Sequence, residues 1–459
     1  MTAFTTADKL HRLVKHALDS GAAASIADAE ALFAGYRLAL RISEDAARDR
    51  HHQAALLTAV ALARRVFLGG VRVAPLPDAP LLTPLPFGTT LAEAVTVLGG
   101  SIAEPEAGTP VIEIGGTTSV RRAPFHVRAI FAGWRGGIVP APFEAAPVPA
   151  PVMALAPMLA AALAVNEAFL YVSGHVGVAG RRTVGLSLWN PASTCDWLGD
   201  MGTEPIMSLL PAQLWLIGLG HLGQAFLWAL GLLPFARPQD LNLVLQDIDI
   251  ITPSTESTSI LSDATLINIK KTRAMAAWAE RRGFSTVVQE RLFDASFRRQ
   301  DGEPAVALCG LDNGVGRQAL DQVGFDFVVE AGLGRGHQDF RAVRLHTMPA
   351  SRPASQIWRD AQADDQVEDR PAYQGLLASG ALDRCGVTLL AGKAVGAPFV
   401  GATAATLALS EVLRLLHGGT VHELIDLDLK AVEYRCTVPT LQNFSTLNPG
   451  YVMTDERHE

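Results

Sequence analysis

Cysteine is scarce: four residues in 459, at positions 195, 309, 385 and 436, with no C-x-x-C pair among them. That spacing excludes the usual all-cysteine zinc site and offers no disulfide framework, so no structural zinc is expected and reduced thiols are the simplest reading. Positive charge is also in short supply. Lys and Arg total 38 against 46 Asp and Glu, a formal net charge of −8, and without a basic stripe a nucleic-acid partner is not expected. Long hydrophobic runs are missing too. The most apolar stretch, "PVMALAPMLAAALAV" at 151–165, is shorter than the roughly 20 residues of a bilayer span. It reads as a buried Ala/Leu-rich helix, and no membrane partner is expected. The first 20 residues carry acid and base together and show no secretory signal, which points to a cytoplasmic protein. Apolar material, by contrast, is plentiful. Hydrophobic residues make up 49% of the chain and charged ones 18%, enough for large cores and for two or three domains.

The chain changes character along its length. Residues 5–66 are Ala- and Leu-rich with helical spacing and no proline, and read as helices. From 70 onward, proline-punctuated loops separate short strands such as "TPVIEIGG" and "HVRAIFAG", followed by the apolar helix at 151–172 and the strand "RRTVGLSLW". The second half alternates more regularly. Strands "LWLIG", "NLVLQD", "TVVQERL", "PAVALCG" and "DFVVEAG" are interleaved with helices over 221–233, 267–283 and 313–323. Apolar strands alternating with helices predict a mostly parallel sheet covered on both faces, an α/β Rossmann-like architecture. The polar segment 337–385 breaks the rhythm and reads as an exposed loop or crossover insertion. The expected layout is therefore a helical region over 1–70, an α/β region over 71–200, a nucleotide-binding domain over 205–440 and a tail over 441–459.

The chemistry starts at "LWLIGLGHLGQAFLWALG", 214–231, where an apolar strand runs into Gly218-Leu219-Gly220-His221-Leu222-Gly223 and a helix follows. Such a turn can hold phosphate at a helix N-terminus, whether of NAD or of ATP. Downstream, Asp247 ends the next strand and is placed to accept from ribose hydroxyls, which suits either nucleotide. Lys271 follows 24 residues later, and Asp312 ends a further apolar strand in "CGLDNGVGR". Carboxylate, lysine and second carboxylate around one glycine loop suit nucleotidyl transfer: the lysine neutralises phosphate oxygens and the second carboxylate holds Mg²⁺.

These motifs in this order resemble the ThiF/MoeB adenylyltransferases, the group that includes the ubiquitin-activating enzymes. The resemblance covers about 205–437. It rests on GLGHLG (218–223), the D-x-D of Asp247 and Asp249, "SDAT" leading to Lys271, Asp312-Asn313 with Arg317, the helix over 395–419 and the closing strand pair over 422–437. It implies an ATP-dependent enzyme that adenylates the C-terminal carboxylate of a ubiquitin-like or sulfur-carrier-like protein. By the resemblance, Gly218, Gly220 and Gly223 approach the nucleotide, with His221 beside them in the loop. Asp247 and Asp249 attend the ribose, Lys271 the phosphates and Asp312 the Mg²⁺. Cys385 lies in the crossover segment before the Ala-rich helix, where thioester-forming members carry their nucleophile. Cys309, inside a core strand, reads as structural.

Two departures stand out. Where the family has asparagine and arginine after the D-x-D, this chain has Thr255 and Thr258, and a usual loop glycine is His221. A missing arginine leaves phosphate charge unopposed. It keeps open a catalytically impaired nucleotide-binding scaffold, beside the less favoured NAD(P)-dependent oxidoreductase. "AALAVNEAFL" (161–170) and "ATLALSEVLR" (405–414) also match in pattern, so the first half reads as a degenerate copy of the second without a phosphate loop. Such domains work in pairs, which implies an intramolecular pseudo-dimer or a homodimer. The replacement arginine is sought in the first half, at Arg121 or Arg122.

Overall fold

The computed structural model describes residues 4–116, 123–143, 145–193, 196–199, 202, 204–358 and 370–455. Arg121, Arg122 and Cys195 lie outside the described residues, so the expectation placed on the arginine pair is not addressed by the structure.

Two sheets organise the chain. The first holds β1 (Leu38–Ile42), β2 (Val71–Val73), β3 (Ser101–Ile102), β4 (Val111–Ile114), β5 (His126–Ala132), β6 (Arg135–Pro140) and β7 (Val184–Ser187), in the order β3-β2-β1-β4-β5-β6-β7. The strands from β3 to β5 are parallel; β6 and β7 are antiparallel. β8 (Leu209–Pro211) forms a separate ribbon with β17 (Tyr451–Met453). The second sheet holds β9 (Gln213–Ile217), β10 (Asn242–Gln246), β11 (Ser285–Gln289), β12 (Val306–Cys309), β13 (Phe327–Leu333), β14 (Ala342–Met348), β15 (His422–Asp428) and β16 (Arg435–Pro439). Its order is β11-β10-β9-β12-β13-β14-β15-β16, parallel as far as β13 and antiparallel beyond. Counted from its own first strand, each sheet reads 3-2-1-4-5-6-7, and the second adds an eighth strand.

The helices repeat the correspondence. The first half contributes α1 (Thr6–Lys9), α2 (Lys15–Asp19), α3 (Ile26–Ala34), α4 (Arg50–Ala63), α5 (Leu91–Val97) and α6 (Ala156–Val172). The second contributes α7 (His221–Leu232), α8 (Pro253–Glu256), α9 (Lys271–Arg282), α10 (Gly314–Gln318), α11 (Ala354–Ile357), α12 (Pro371–Ala378), α13 (Arg384–Ala391) and α14 (Pro398–Leu416). α6 lies between β6 and β7, and α14 between β14 and β15, so the two matched segments at 161–170 and 405–414 occupy equivalent helices. Their glutamates play the same part. Glu167 accepts from the Gly180 N–H at 2.9 Å and Glu411 from the His422 N–H at 3.0 Å, each on the segment that leads into the next strand.

α6 is apolar around its whole circumference because it is enclosed on every side, by α4, the first sheet and α14. α14 is the one described helix long and apolar enough to cross a membrane by length and composition, and it is buried inside the molecule for the same reason. One contiguous core joins the halves, and cross-links seal it. Trp228 Nε1 donates to Thr58 Oγ1 at 3.1 Å, Asn166 Nδ2 to the Leu429 carbonyl at 2.9 Å, and Arg414 to the Leu188 carbonyl.

Three expectations are corrected. The stretch 5–66 is not all helical: β1 lies inside it and is an interior strand of the first sheet, between β2 and β4. A five-residue run, Leu38-Ala39-Leu40-Arg41-Ile42, between a Gly-Tyr-Arg turn and Ser43 is too short for its periodicity to tell strand from helix. The helix expected over 313–323 is confined to α10, and the segment 337–385 contains β14 as well as short helices.

Candidate active site

β9 is apolar and buried from Leu214 to Ile217 and delivers the chain to Gly218, whose φ of +81° lies in the left-handed region that favours glycine. α7 then begins at His221. A Cβ on Gly223 would collide with the Gly218 carbonyl oxygen, so the helix can approach the strand this closely only with glycine there. A Cβ on Gly220 would meet little except Lys271 Nζ, 4.0 Å away. The loop and the lysine thus face one another across open space at the first turn of α7.

Asp247 braces this loop. Its Oδ2 accepts from the Leu219 N–H at 2.7 Å and its Oδ1 from the Asp249 N–H at 2.8 Å. Lys271, the first residue of α9, donates its backbone N–H to the Asp249 carbonyl at 3.0 Å. Its ammonium lies 2.9 Å from Asp249 Oδ2 and 3.6 Å from Asp247 Oδ2. Burial alone would lower the Lys271 pKa, but Asp247, Asp249 and Asp312 outweigh it and hold the ammonium above its ordinary value. Asp312 is exposed just past β12 and acts on Lys271 through space. Asp249, its side chain 63% exposed, is the freer of the D-x-D pair. Asn313 caps α10, accepting from the Gly316 N–H at 2.7 Å. Arg317 Nε reaches the Leu311 carbonyl and Glu330 Oε1, each at 2.9 Å.

The two threonines are spent on structure. Thr255 closes a capping box with Thr252 at the start of α8, and Thr258 is buried with its methyl toward Gly396. A guanidinium arrives from elsewhere. Arg12, on the strap between α1 and α2, donates its backbone N–H to Ser257 Oγ at 3.1 Å and its Nη2 to Ser254 Oγ at 3.2 Å. Burial lowers the Arg12 pKa, while Asp8 and Asp312 oppose that shift. Arg12 therefore shares the field of Asp312 with Lys271. The reading of the sequence missed this residue, and no local signal marks it, because its partners lie more than 240 positions away. The α8 segment that receives the strap is held by the first half as well: Arg65 of the segment after α4 donates to the Glu256 carbonyl at 2.9 Å and the Ser262 carbonyl at 2.6 Å.

His221 is corrected. Its ring does not stand open toward a phosphate but packs at the start of α14, where a Cβ on Gly401 would strike it, with Nε2 buried and without a hydrogen-bond partner among the described residues. Burial holds its pKa down at about 4, so the imidazole is neutral near pH 7.

Cys385 is exposed in the first turn of α13, after the N-cap Asp383. α13 packs on α1, and Lys393 beyond it lies 3.9 Å from Asp8, so its link to the nucleotide loop runs through the strap that carries Arg12. Cys309 is sealed in β12, where burial first and Glu330 second push its thiol up to about 12. Cys436 is exposed on β16.

Past Arg317 a cleft of about 540 Å³ opens along the antiparallel strands β13–β15. Glycine at 332 leaves its inner end bare, Trp358 forms a wall, and Arg344 crosses its floor to Asp426, Nε to Oδ2 at 2.9 Å.

For Mg²⁺, no group of three or more ligating side chains occurs among the described residues. A single exposed carboxylate fits a cation that takes one or two carboxylates and otherwise keeps waters and substrate phosphates. Asp312 is of that kind.

Two family models match the chain: the BilD N-terminal domain over residues 37–188 and the BilD C-terminal domain over 210–419. The bacterial E1-like protein BilD of Collimonas sp. (strain OK412) is 48% identical over 421 residues, 91% of this chain and 90% of that protein. Among solved structures, E. coli MccB with ATP is 11% identical with a TM-score of 0.34, covering 51% of this chain and 65% of that one. E. coli tRNA N6-threonylcarbamoyladenosine dehydratase, TcdA, is 16% identical with a TM-score of 0.30, covering 45% and 86%.

Proposed function

This chain belongs to the BilD family of bacterial E1-like proteins, and on that premise we propose that it adenylates the C-terminal carboxylate of a ubiquitin-like or sulfur-carrier-like protein with ATP. The observation that carries the reading is Lys271 Nζ, 4.0 Å from where a Cβ on Gly220 would stand, with Asp312 acting through space on both Lys271 and Arg12. A cation facing the N-terminus of a twelve-residue helix, with a carboxylate and a second cation in its field, suits a triphosphate and its cation.

In this reading the backbone N–H groups of the α7 first turn face phosphate oxygens, and Asp247 and Asp249 attend the ribose. Lys271 leaves Asp249 for the phosphates, and Arg12 stands in for the arginine absent at 258. Asp312 would hold Mg²⁺, which supplies further neutralisation of phosphate charge. The partner's tail lies in the cleft over β13–β15 and brings its carboxylate to the α-phosphorus. An oxygen–phosphorus bond forms, the bond to pyrophosphate breaks, and the tail becomes an acyl-adenylate. The Cys385 thiolate then attacks the acyl carbon, AMP leaves, and a thioester remains.

The test is ATP–pyrophosphate exchange by the full chain with and without a ubiquitin-like protein. Exchange that needs the partner supports the reading. ATP binding with no exchange for any partner would favour a nucleotide-binding scaffold, and stabilisation by NAD(H) or NADP(H) alone would favour the oxidoreductase.

A further inference from the structure

Away from the nucleotide loop, positive charge is buried where the strap meets both halves. Arg341, at the end of the β13–β14 hairpin, is 2% exposed, yet its Nε and Nη1 have no hydrogen-bond partner among the described residues. The guanidinium lies over the Phe340 ring, 4.7 Å from its centre. His16 of α2 meets the same ring edge-on at 5.0 Å, and His175, from the loop after α6, lies 4.9 Å from His16. Lys430, after β15, acts through space on both imidazoles, and His337 of the hairpin acts on His16. Among carboxylates, Asp428 acts on Arg341, and Asp19 is engaged by Lys15 at 2.5 Å and by the Tyr373 hydroxyl.

A buried guanidinium offers a planar fork of donors suited to tetrahedral oxyanions, and leaving those donors unmatched is costly. Ring stacking on Phe340 compensates only in part. The imidazoles add donors on the same spot from the strap and from the first half. We propose that His16, His175, Arg341 and Lys430 form a binding site for a compact phosphate group, supplied either by inorganic phosphate or by one end of pyrophosphate. His16 is held near pH 3, by burial first and then by His175, Arg341, His337 and Lys430, so it meets the anion as a neutral donor. The occupant joins four segments distant in sequence. Through His16 it steadies the strap four residues from Arg12.

The readout is folding temperature, which separates this site from the activity proposed above. The full chain is titrated with inorganic phosphate, and separately with pyrophosphate, against chloride of equal ionic strength. Phosphate is expected to raise Tm beyond chloride. The rise is expected to persist in Lys271→Ala, which disables the nucleotide site, and to vanish in Arg341→Met. An effect of neither phosphate nor pyrophosphate beyond that of chloride, or an undiminished effect in Arg341→Met, overturns the proposal. So does an effect lost in Lys271→Ala. If Arg341→Met fails to fold, His175→Ala and Lys430→Ala decide. Each should weaken the apparent phosphate affinity about tenfold, the loss of one charge-assisted hydrogen bond. Unchanged affinity in both overturns the proposal. A pyrophosphate response in Lys271→Ala equal to that of phosphate identifies the shared phosphate group as the ligand. A response to pyrophosphate alone overturns inorganic phosphate as a source.

Discussion

Lys271 stands among three carboxylates whose attraction outweighs its burial, so it remains charged wherever the protein is folded and brings that charge to the first turn of α7. Its folded pKa lies above the ordinary lysine value. The stabilisation it receives is therefore complete below that ordinary value and is lost only as pH rises through the folded pKa, far outside the working range. Lys271→Ala and Asp312→Ala are each expected to abolish partner-dependent ATP–pyrophosphate exchange while leaving far-UV circular dichroism unchanged, since both residues sit at open ends of elements. Arg12→Ala should cost about 10²–10³-fold in exchange rate, the scale of removing one donor aimed at developing charge. Thr258→Arg is not expected to restore that loss, because the buried threonine methyl already fills the space beside Gly396. Wild-type exchange in Arg12→Ala would show that the strap arginine has no part in the reaction. The placement of Lys271 beside the glycine loop, in the field of Asp312, was legible in the sequence because their spacing from that loop is set by neighbouring strands. Arg12 was not, since its place at the site is made by tertiary contacts with Ser254 and Ser257.

At the scale of elements, the junction of α7 and α14 depends on a trade between a histidine and a glycine. His221 occupies the volume that a side chain at 401 would need. Gly401→Ala is therefore expected to destabilise the fold by about 1–3 kcal/mol through overpacking. His221→Ala should relieve most of that cost in a urea-denaturation double-mutant cycle, whereas additive effects would mean the two side chains do not compete. The strap has its own vulnerability. His11 and His221 have folded pKa values of about 4 and His16 about 3, all pressed down chiefly by burial from the ordinary 6.5. Between pH 6.5 and about 4 the unfolded chain binds protons that the folded chain refuses, so stability must fall as pH falls through this window. A Tm that stays flat from pH 7 to pH 4.5 would contradict the burial of these rings. The alternating strands of the second half were legible because long apolar strands and capped helices impose their period. β1 and β14 were hidden, the first by a run too short to show one and the second by the polar sequence around it.

At the scale of the molecule, two sheets of the same strand order are held back to back by α6 and α14, and the core passes through the pair without a break. The match between 161–170 and 405–414 was visible because these two helices face one another across the seam and share the need for small apolar residues. The first half keeps the strand order but not the site. After β1 the chain reads Ser43-Glu44-Asp45, with no glycine turn, and the space beside Gly115 is filled by Ala46 and His52. Besides Arg12, its contribution is mechanical: it buries α7 and α14 and, through Arg64 and Arg65, anchors the α8 segment on which the strap rests. A fragment of residues 205–459 would expose the apolar flanks of α14 and lose Thr58 as the partner of Trp228, Leu188 as that of Arg414, and Arg12 from the nucleotide loop. Taking one acceptor from a buried guanidinium costs about 1–3 kcal/mol, and a bare helix face of this size invites association. The fragment is expected to aggregate, or to lack exchange activity if kept soluble. Adding residues 1–204 as a separate chain should restore solubility and exchange together, measured by size-exclusion chromatography and pyrophosphate exchange. A fragment that is monomeric and as active as the full chain would mean that the second half is sufficient and that Arg12 does not serve the nucleotide.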